Sequence, residues 1–498
     1  MEKQGSPRIL LQSIILVGRN IMRRGFIGRE RELAELQERW RSGQPELFVV
    51  YGRRRVGKTE LLLQFSRMDN KKTLYFLASQ VTRQEHLRQF TEIMRETFSD
   101  PVLQSLTFTD WEAVLTYLGE RAREERFLLI LDEFPYLCEA APGLPSAIQR
   151  FWDLHGKGTK IFLVLCGSQL GFMEREVLGE RSPLYGRRTG QLRLRPFHFR
   201  EASLFFPGYS QRERLIAYGI LGGMPAHLIR FSPELSLREN LLREMLQVQG
   251  YLYEEPRFLL RMELRDPKVY ASILGAIASG CTKLNEIAQR AGLSVQTASK
   301  YLGVLQELEL VEREVPFTAR APQRSKRGRY RLRDNYLNFW FRFVQPNSSM
   351  IEAGQGKVVY ERFIAPYLDE YMGHIFEEVA RSYMWLYASE ELELPPVLRV
   401  GREWGADFEI DVIAEHADGS WTFGECKWTR RPVGERVIRE LQNKVKRFSQ
   451  FAKVPNSVRY AIFSSNGFTP KLRRGAEGKQ VNVLLISIAE LLGTEKID

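Results

Sequence analysis

The segment Gly52-Arg53-Arg54-Arg55-Val56-Gly57-Lys58-Thr59 constrains this chain more than any other stretch. It satisfies GxxxxGK[ST] at every fixed position, directly after the apolar LFVVYG (47–52) and directly before ELLLQF. The glycines let backbone N–H groups turn inward around phosphate oxygens, the lysine neutralises their charge, and the threonine hydroxyl can ligate Mg2+. Such a loop needs a buried strand before it and a helix after it. Continuously apolar runs at 47–52, 73–78 (TLYFLA), 127–132 (FLLILD) and 160–167 (KIFLVLCG) alternate with helical patterns. That is the rhythm of a parallel sheet covered on both faces, and the expected fold class is α/β.

Two further features fit this unit. Leu128 to Leu131 precede Asp132-Glu133, so both acids emerge at the carboxyl end of a buried strand, where open α/β sheets bind ligands. Asp132 is suited to hold Mg2+ with Thr59, and Glu133 to orient or activate an attacking water. The next run ends in Gly167-Ser168-Gln169, which places Ser168 to meet a γ-phosphate. In SPLYGRRTGQLRLRPF, Arg187 and Arg188 offer cations for transition-state charge, in cis or from a neighbouring subunit; a solvated arginine pair is the other reading. ATP and Mg2+ are thus the expected cofactors.

At 498 residues the chain exceeds one ordinary domain, and 44% hydrophobic with 27% charged residues excludes wholesale disorder. Cys138, Cys166, Cys281 and Cys426 form no CxxC pair, which argues against a disulfide scaffold and for a reducing cytoplasm. The apolar residues 9–17 are too few to span a bilayer, and no membrane partner is expected. The reading divides the chain into an extension (1–22), a nucleotide-binding core (23–205), a helical region (206–265), a three-helix segment with a basic β-rich end (266–335) and a C-terminal domain (336–498). The net charge of +12 is unevenly spread: 336–426 carries −10 and 427–479 carries +11.

In KLNEIAQRAGLSVQTASKYLGVLQEL, Leu284, Ile287, Ala288 and Ala291 follow helical spacing, Gly292 supplies a turn, and Ser294 caps a helix with Ala298, Tyr301, Leu302 and Leu305 inward. Gln296, Thr297, Ser299 and Lys300 then lie on the exposed face. Residues 315–333 follow with Arg320, Arg324, Lys326, Arg327, Arg329, Arg331 and Arg333 and no acid. This layout resembles winged-helix domains, and the resemblance implies a helix-turn-helix and a basic wing on nucleic acid, most naturally DNA. A winged helix that only packs against protein is the alternative.

Near the C-terminus, DFEIDVIAEHADGSWTFGECK reads as two strands about the turn 417–420. Asp411 lies on one strand, Glu425 and Lys427 on a shared face of the next, and Glu377 lies on a preceding helix. Two carboxylates for Mg2+ and a lysine for water activation or charge stabilisation suit phosphodiester hydrolysis. The set Glu377, Asp411, Glu425-x-Lys427 resembles the PD-(D/E)XK nuclease superfamily, with Ile410 in place of the proline of its name. It implies a restriction-endonuclease-like α/β domain with Glu377, Asp411 and Glu425 as metal ligands and Lys427 as the catalytic base or cation. Lys427, Arg430, Arg431, Arg436, Arg439, Lys444, Lys446 and Arg447 offer a substrate rim, or a solvated helix face.

Taken together, FIGRERELAEL (26–36), GRRRVGKTELL, LLILDEFPYL, YGRRTGQLRLRPF and GGMPAHL (222–228) resemble the archaeal-type ATPases of the STAND class. That resemblance implies a P-loop core with a helical lid, in which Gly222, Gly223 and Pro225 sense the nucleotide and Phe26 to Arg29 wrap the base. It also implies a slow nucleotide-controlled switch, with a homo-oligomer or a protein partner left open. The expected function is an ATP-dependent switch controlling a DNA-binding winged helix and a nuclease-like domain. The rival is an ATP-dependent regulator whose nuclease fold is inactive.

Overall fold

The computed structural model describes residues 25–98, 100–477 and 482–493, so the extension read at 1–22 lies outside the described residues. The chain forms two compact units: residues up to Pro196 with Met224–Ala226, and Phe197–Gly223 with the chain from His227 onward.

The first unit is built on β1 (Glu46–Tyr51), β2 (Thr73–Leu77), β3 (Leu128–Asp132), β4 (Phe162–Gly167) and β5 (Gly190–Arg193). Their order is β2-β3-β4-β1-β5, and every neighbouring pair is parallel. Because strand side chains alternate, Phe48, Val50, Ile130 and Val164 join one apolar cluster while Leu47, Val49, Leu131 and Leu165 join another. The helix Lys58–Arg67 closes the first cluster with Leu61, Leu62 and Phe65; helices Arg83–Phe98 and Trp111–Glu124 close the second with Phe90, Leu115 and Leu118. Each such fully buried side chain contributes about 1.5–3 kcal/mol. The strand β5 was not foreseen: it is a half-buried edge strand in GQLRLRPF, without the apolar run of its neighbours. Parallel order brings Tyr51, Asp132 and Gly167 to one edge of the sheet.

The second unit opens with helices Phe199–Ser203, Gln211–Leu221, Leu237–Glu244 and Tyr251–Glu263; Ser210 and Ser236 start two of them through reciprocal bonds with Glu213 and Glu239. Helices Pro267–Ala278, Leu284–Arg290 and Val295–Glu307 follow, then an antiparallel ribbon of β6 (Val311–Glu314) and β7 (Arg329–Leu332). Ile287, Ala288, Ala298, Leu302 and Leu305 are buried as their spacing requires, whereas Leu284, Ala291 and Tyr301 are only half-buried.

A long helix, Leu368–Leu386, precedes β8 (Val397–Trp404), β9 (Glu409–His416), β10 (Trp421–Lys427), β11 (Val458–Ser464) and β12 (Val483–Ser487). These lie in chain order; β8 to β10 are antiparallel and β10 to β12 parallel, so this sheet is mixed. The helix Arg436–Phe448 makes the crossover that the parallel pair β10–β11 needs. Among the described residues no helix is long and apolar enough to cross a membrane.

Candidate functional site

At the carboxyl edge of the first sheet, β1 gives way to the loop 52–57 and the helix Lys58–Arg67. A side chain at Gly52 has no room, since its Cβ would lie 2.4 Å from the Leu194 carbonyl oxygen. Gly57 has φ +92° and Arg55 φ 69°, left-handed turns that fold the loop back over itself. Val56 anchors the loop in the apolar cluster beneath it. Lys58 is 6% exposed, and its Nζ donates to the Gly52 and Arg53 carbonyls at 2.9 and 3.1 Å. A tight backbone cradle with a buried ammonium across it fits a nucleotide triphosphate.

The acids of β3 meet this loop. Thr59 Oγ1 donates to Asp132 Oδ2 at 2.7 Å, the Tyr75 hydroxyl donates to the same oxygen at 2.9 Å, and the Glu133 N–H donates to Oδ1 at 2.8 Å. Burial first, and then the Asp132 charge, keep the Tyr75 phenol protonated and therefore a donor. The paired hydroxyl and carboxylate of Thr59 and Asp132 are hard oxygen donors of the kind Mg2+ prefers. Glu133 sits at φ 51°, a strained conformation of the sort kept at functional positions, and its carboxylate accepts from Ser168 Oγ at 2.8 and 3.0 Å. Ser168 therefore steadies Glu133 in addition to facing the same edge.

Arg187 and Arg188 are placed differently from the expectation. The strand β5 runs parallel to β1 with Gly190 opposite Phe48, so both arginines precede its amino end, on the sheet edge remote from Tyr51 and Asp132. There Arg187 Nε donates to Asp153 at 2.9 Å and Arg188 to the Leu178 carbonyl at 3.3 Å. A cis role for Arg187 at the loop is excluded by this geometry. Pro225 does reach the loop: a Cβ on Gly57 would lie 3.7 Å from its Cγ. Gly223 belongs to the second unit, where a Cβ would fall 1.7 Å from the Phe197 carbonyl oxygen, so only glycine fits.

In the C-terminal sheet, β9 and β10 pair Ile413 with Phe423 and Val412 with Gly424, and one further step in that register sets Asp411 opposite Glu425. Asp411 Oδ2 accepts the Cys426 N–H at 2.8 Å. Glu425, 3% exposed, accepts from Lys427 Nζ at 2.8 Å and from Lys444 Nζ at 2.6 and 2.8 Å. Burial, then the Glu425 and Glu377 charges, push the Asp411 carboxyl well above the usual carboxylate range. Glu377 itself lies 3.6 Å from Arg402 and 3.9 Å from Arg381. Among the described residues no three His, Cys, Asp or Glu side chains are gathered so as to hold a metal ion. In this structure lysines pair with Glu425, arginines lie against Glu377 and the Cys426 N–H donates to Asp411, so each of the three expected ligands carries another partner.

The cations of the basic ribbon have partners within the chain. Arg327 pairs with Glu403 at 2.9 Å, Arg329 with Glu409 at 3.4 Å, Arg331 with Glu378 at 3.3 Å and also with Glu312, and Arg333 with Glu309 at 3.0 Å. Glu403 is 1% exposed and also accepts from the Thr318 N–H and hydroxyl. Phe317, next to Thr318, packs edge-on against Trp421. Four of the seven cations thus pair with carboxylates of the protein itself, three of them with acids of the stretch 336–426, although Arg327 and Arg333 remain exposed. Arg320, Arg324 and Lys326 stay exposed, as do Gln296, Ser299 and Lys300 on the third helix, while Thr297 is half-buried.

Residues 26–231 match an ATPase domain found predominantly in Archaea, and residues 340–444 match a family of archaeal and bacterial proteins of unknown function. An uncharacterized protein of Methanocaldococcus jannaschii, MJECL04, is 34% identical over 437 residues, covering 87% of this chain and 94% of that protein. The chain belongs to that protein's family. Its phosphate loop, the two β3 acids and Pro225 all fall within the archaeal ATPase domain. Among solved structures, the Walker-type ATPase paby2304 of Pyrococcus abyssi is similar at 20% identity with a TM-score of 0.47, over 64% of this chain and 96% of that one. A STAND protein with a tetratricopeptide repeat sensor, PH0952 of Pyrococcus horikoshii, is similar at 14% identity with a TM-score of 0.29, over 74% of this chain and 51% of that one.

Several residues of this family member were not singled out by sequence for the parts they play. Arg29, 5% exposed, donates to the Val56 carbonyl at 3.1 Å and the Arg195 carbonyl at 2.7 Å, and so braces the loop from behind. Tyr75 gave no signal beyond its place in an apolar run. Lys444 was one of many rim cations, and only the packing of its helix on β10 sets it against Glu425.

Proposed function

We propose that this chain is an ATP-hydrolysing switch whose nucleotide state governs a nucleic-acid-handling C-terminal region with a nuclease-like centre. The ATP half rests on one observation above all: Thr59 and Asp132, from the loop and from β3, meet at 2.7 Å beside the buried Lys58. When bound there, Mg2+ offsets phosphate charge. Lys58 would exchange its two backbone carbonyls for phosphate oxygens, Thr59 and Asp132 would hold the cation, and Glu133, steered by Ser168, would orient the attacking water and accept its proton. Pro225 lies against Gly57, and the chain passes from one unit to the other on either side of Met224–Ala226, which gives the loop a covalent route to the second unit. Measured ATP turnover should vanish in Lys58→Ala and in Glu133→Gln, with binding kept in the second; normal turnover in Lys58→Ala sinks this half.

The nucleic-acid half is supported by Asp411, Glu425, Lys427 and Lys444 meeting at one end of the β9–β10 hairpin, carboxylates and amines of the kind phosphodiester chemistry uses. The three helices and ribbon read as a winged helix, and DNA is the partner that reading favours. Arg187 is available only to a neighbouring subunit in a homo-oligomer. A second reading, a regulator that does not cleave, is favoured by the cations already bound to Glu425 and Glu377. Mn2+ titration separates them: the cleaving reading requires binding that depends on Asp411 and Glu425, and the regulator reading requires none.

A further inference from the structure

Between the ribbon and the C-terminal sheet, within the second unit, lies a cavity of about 520 Å3. That is ample for one nucleotide and within the usual range of ligand pockets, about 300–1,000 Å3. Its apolar side is formed by Trp404, Phe408, Phe448 and Phe451, and its cationic side includes Lys283 and Lys326. Phe451 is 75% exposed and lies stacked against Phe408, with ring centroids 6.2 Å apart and planes inclined by 23°. A phenylalanine left this exposed forfeits most of the stabilisation its burial would provide. Both lysines are exposed, Lys283 lying 3.5 Å from Glu286. The two acids of the wall are accounted for, Glu403 by Arg327 and Thr318, and Asp407 by Arg447 at 3.6 Å.

We propose that this cavity holds an unpaired nucleotide of a single strand, its base stacked on Phe451 and Phe408 and its phosphates against Lys326 and Lys283. The proposal rests on the reading that the C-terminal region acts on nucleic acid, and names the form of that substrate. Duplex bases are stacked on one another and offer only their edges, so a concave aromatic pocket can take a base only from an unpaired strand. The pocket also shares elements with the carboxylate centre. Phe408 is three residues before Asp411, about 10 Å along an extended chain, and Phe448 is one helical turn, about 6 Å, beyond Lys444. A strand anchored in the pocket therefore has its neighbouring phosphates beside Asp411, Glu425 and the two lysines. Lys326, the ribbon cation outside those ion pairs that lines the cavity, gains a role here that does not require a duplex.

The test is fluorescence anisotropy with the full chain and three probes of equal length: a labelled single strand, the same strand in a duplex, and a strand lacking its bases. The single strand should bind about tenfold more tightly than either other probe, and Phe451→Ala, at an exposed position that leaves folding intact, should remove that margin. Lys326→Glu should weaken all three probes and flatten the salt dependence. Equal affinity for the three probes, or a Phe451→Ala protein that keeps the single-strand preference, overturns the proposal. Parallel cleavage assays keep the two readings apart. Strand binding through Phe451 without any cleavage defeats the nuclease reading and leaves the pocket. Cleavage lost in Asp411→Ala but indifferent to Phe451 defeats the pocket alone.

Discussion

The phosphate loop and the basic ribbon are both arginine-rich and glycine-punctuated, yet their cations do opposite things. In the loop, Lys58 is buried with only backbone carbonyls as partners, so its charge remains available to an anion. In the ribbon, Arg327, Arg329, Arg331 and Arg333 are committed to carboxylates, most of them far away in sequence. A cation signals ligand binding when the fold denies it an acidic partner, and signals packing when the fold supplies one. Density of positive charge along the chain does not distinguish these cases.

The largest effect expected from this contrast is at the loop. Lys58→Ala should lower kcat for ATP by at least about a hundredfold, measured by phosphate release, because a preorganised charge facing the transferring phosphate is lost. Second is the C-terminal centre: Asp411→Ala should abolish any metal-dependent cleavage while leaving single-strand affinity within about twofold, read by gel assay and anisotropy. Third is the ribbon. Arg327→Ala should cost about 1–3 kcal/mol in urea unfolding, because Glu403 is buried and loses its charged donor, with little change in the salt dependence of nucleic-acid binding. If Arg327→Ala instead flattened that salt dependence without loss of stability, the contrast between the two regions would fail.

The smallest effect concerns pH. Asp411 has a raised folded-state pKa, so the folded protein holds its proton while the unfolded chain releases one. Stability from this group is present below the unfolded value, near 3.9, and is lost as pH rises toward the folded value. Asp411→Asn should therefore flatten the decline in urea midpoint between pH 4 and neutrality relative to the unsubstituted protein.

These differences also mark what the sequence could show. Residues 52–59 and Asp132-Glu133 were legible because local spacing and one buried strand dictate their geometry, and the Thr59–Asp132 contact follows from the expected roles. The choice between the readings of Arg187 was not legible because a local pattern does not say at which end of a sheet a strand begins, and the polar edge strand β5 lacks the apolar run that marks its neighbours. The helix carrying Glu377 and the hairpin carrying Asp411 and Glu425 were found. Their cationic partners Arg402 and Lys444 come from β8 and a crossover helix, contacts that only tertiary packing creates. The opposed charges of 336–426 and 427–479 are in part each other's partners, as Lys444 with Glu425 and Arg430 with Asp369 show.

The central claim is that nucleotide at Lys58 controls what the C-terminal region does to nucleic acid. It is tested most directly by single-strand cleavage in Mn2+ with ATP, with ADP and without nucleotide, in the unsubstituted protein and in Lys58→Ala. The account predicts a rate that changes between ATP and ADP in the unsubstituted protein and is insensitive to nucleotide in Lys58→Ala. Equal rates under all three conditions in the unsubstituted protein, or no cleavage in any of them, would contradict it.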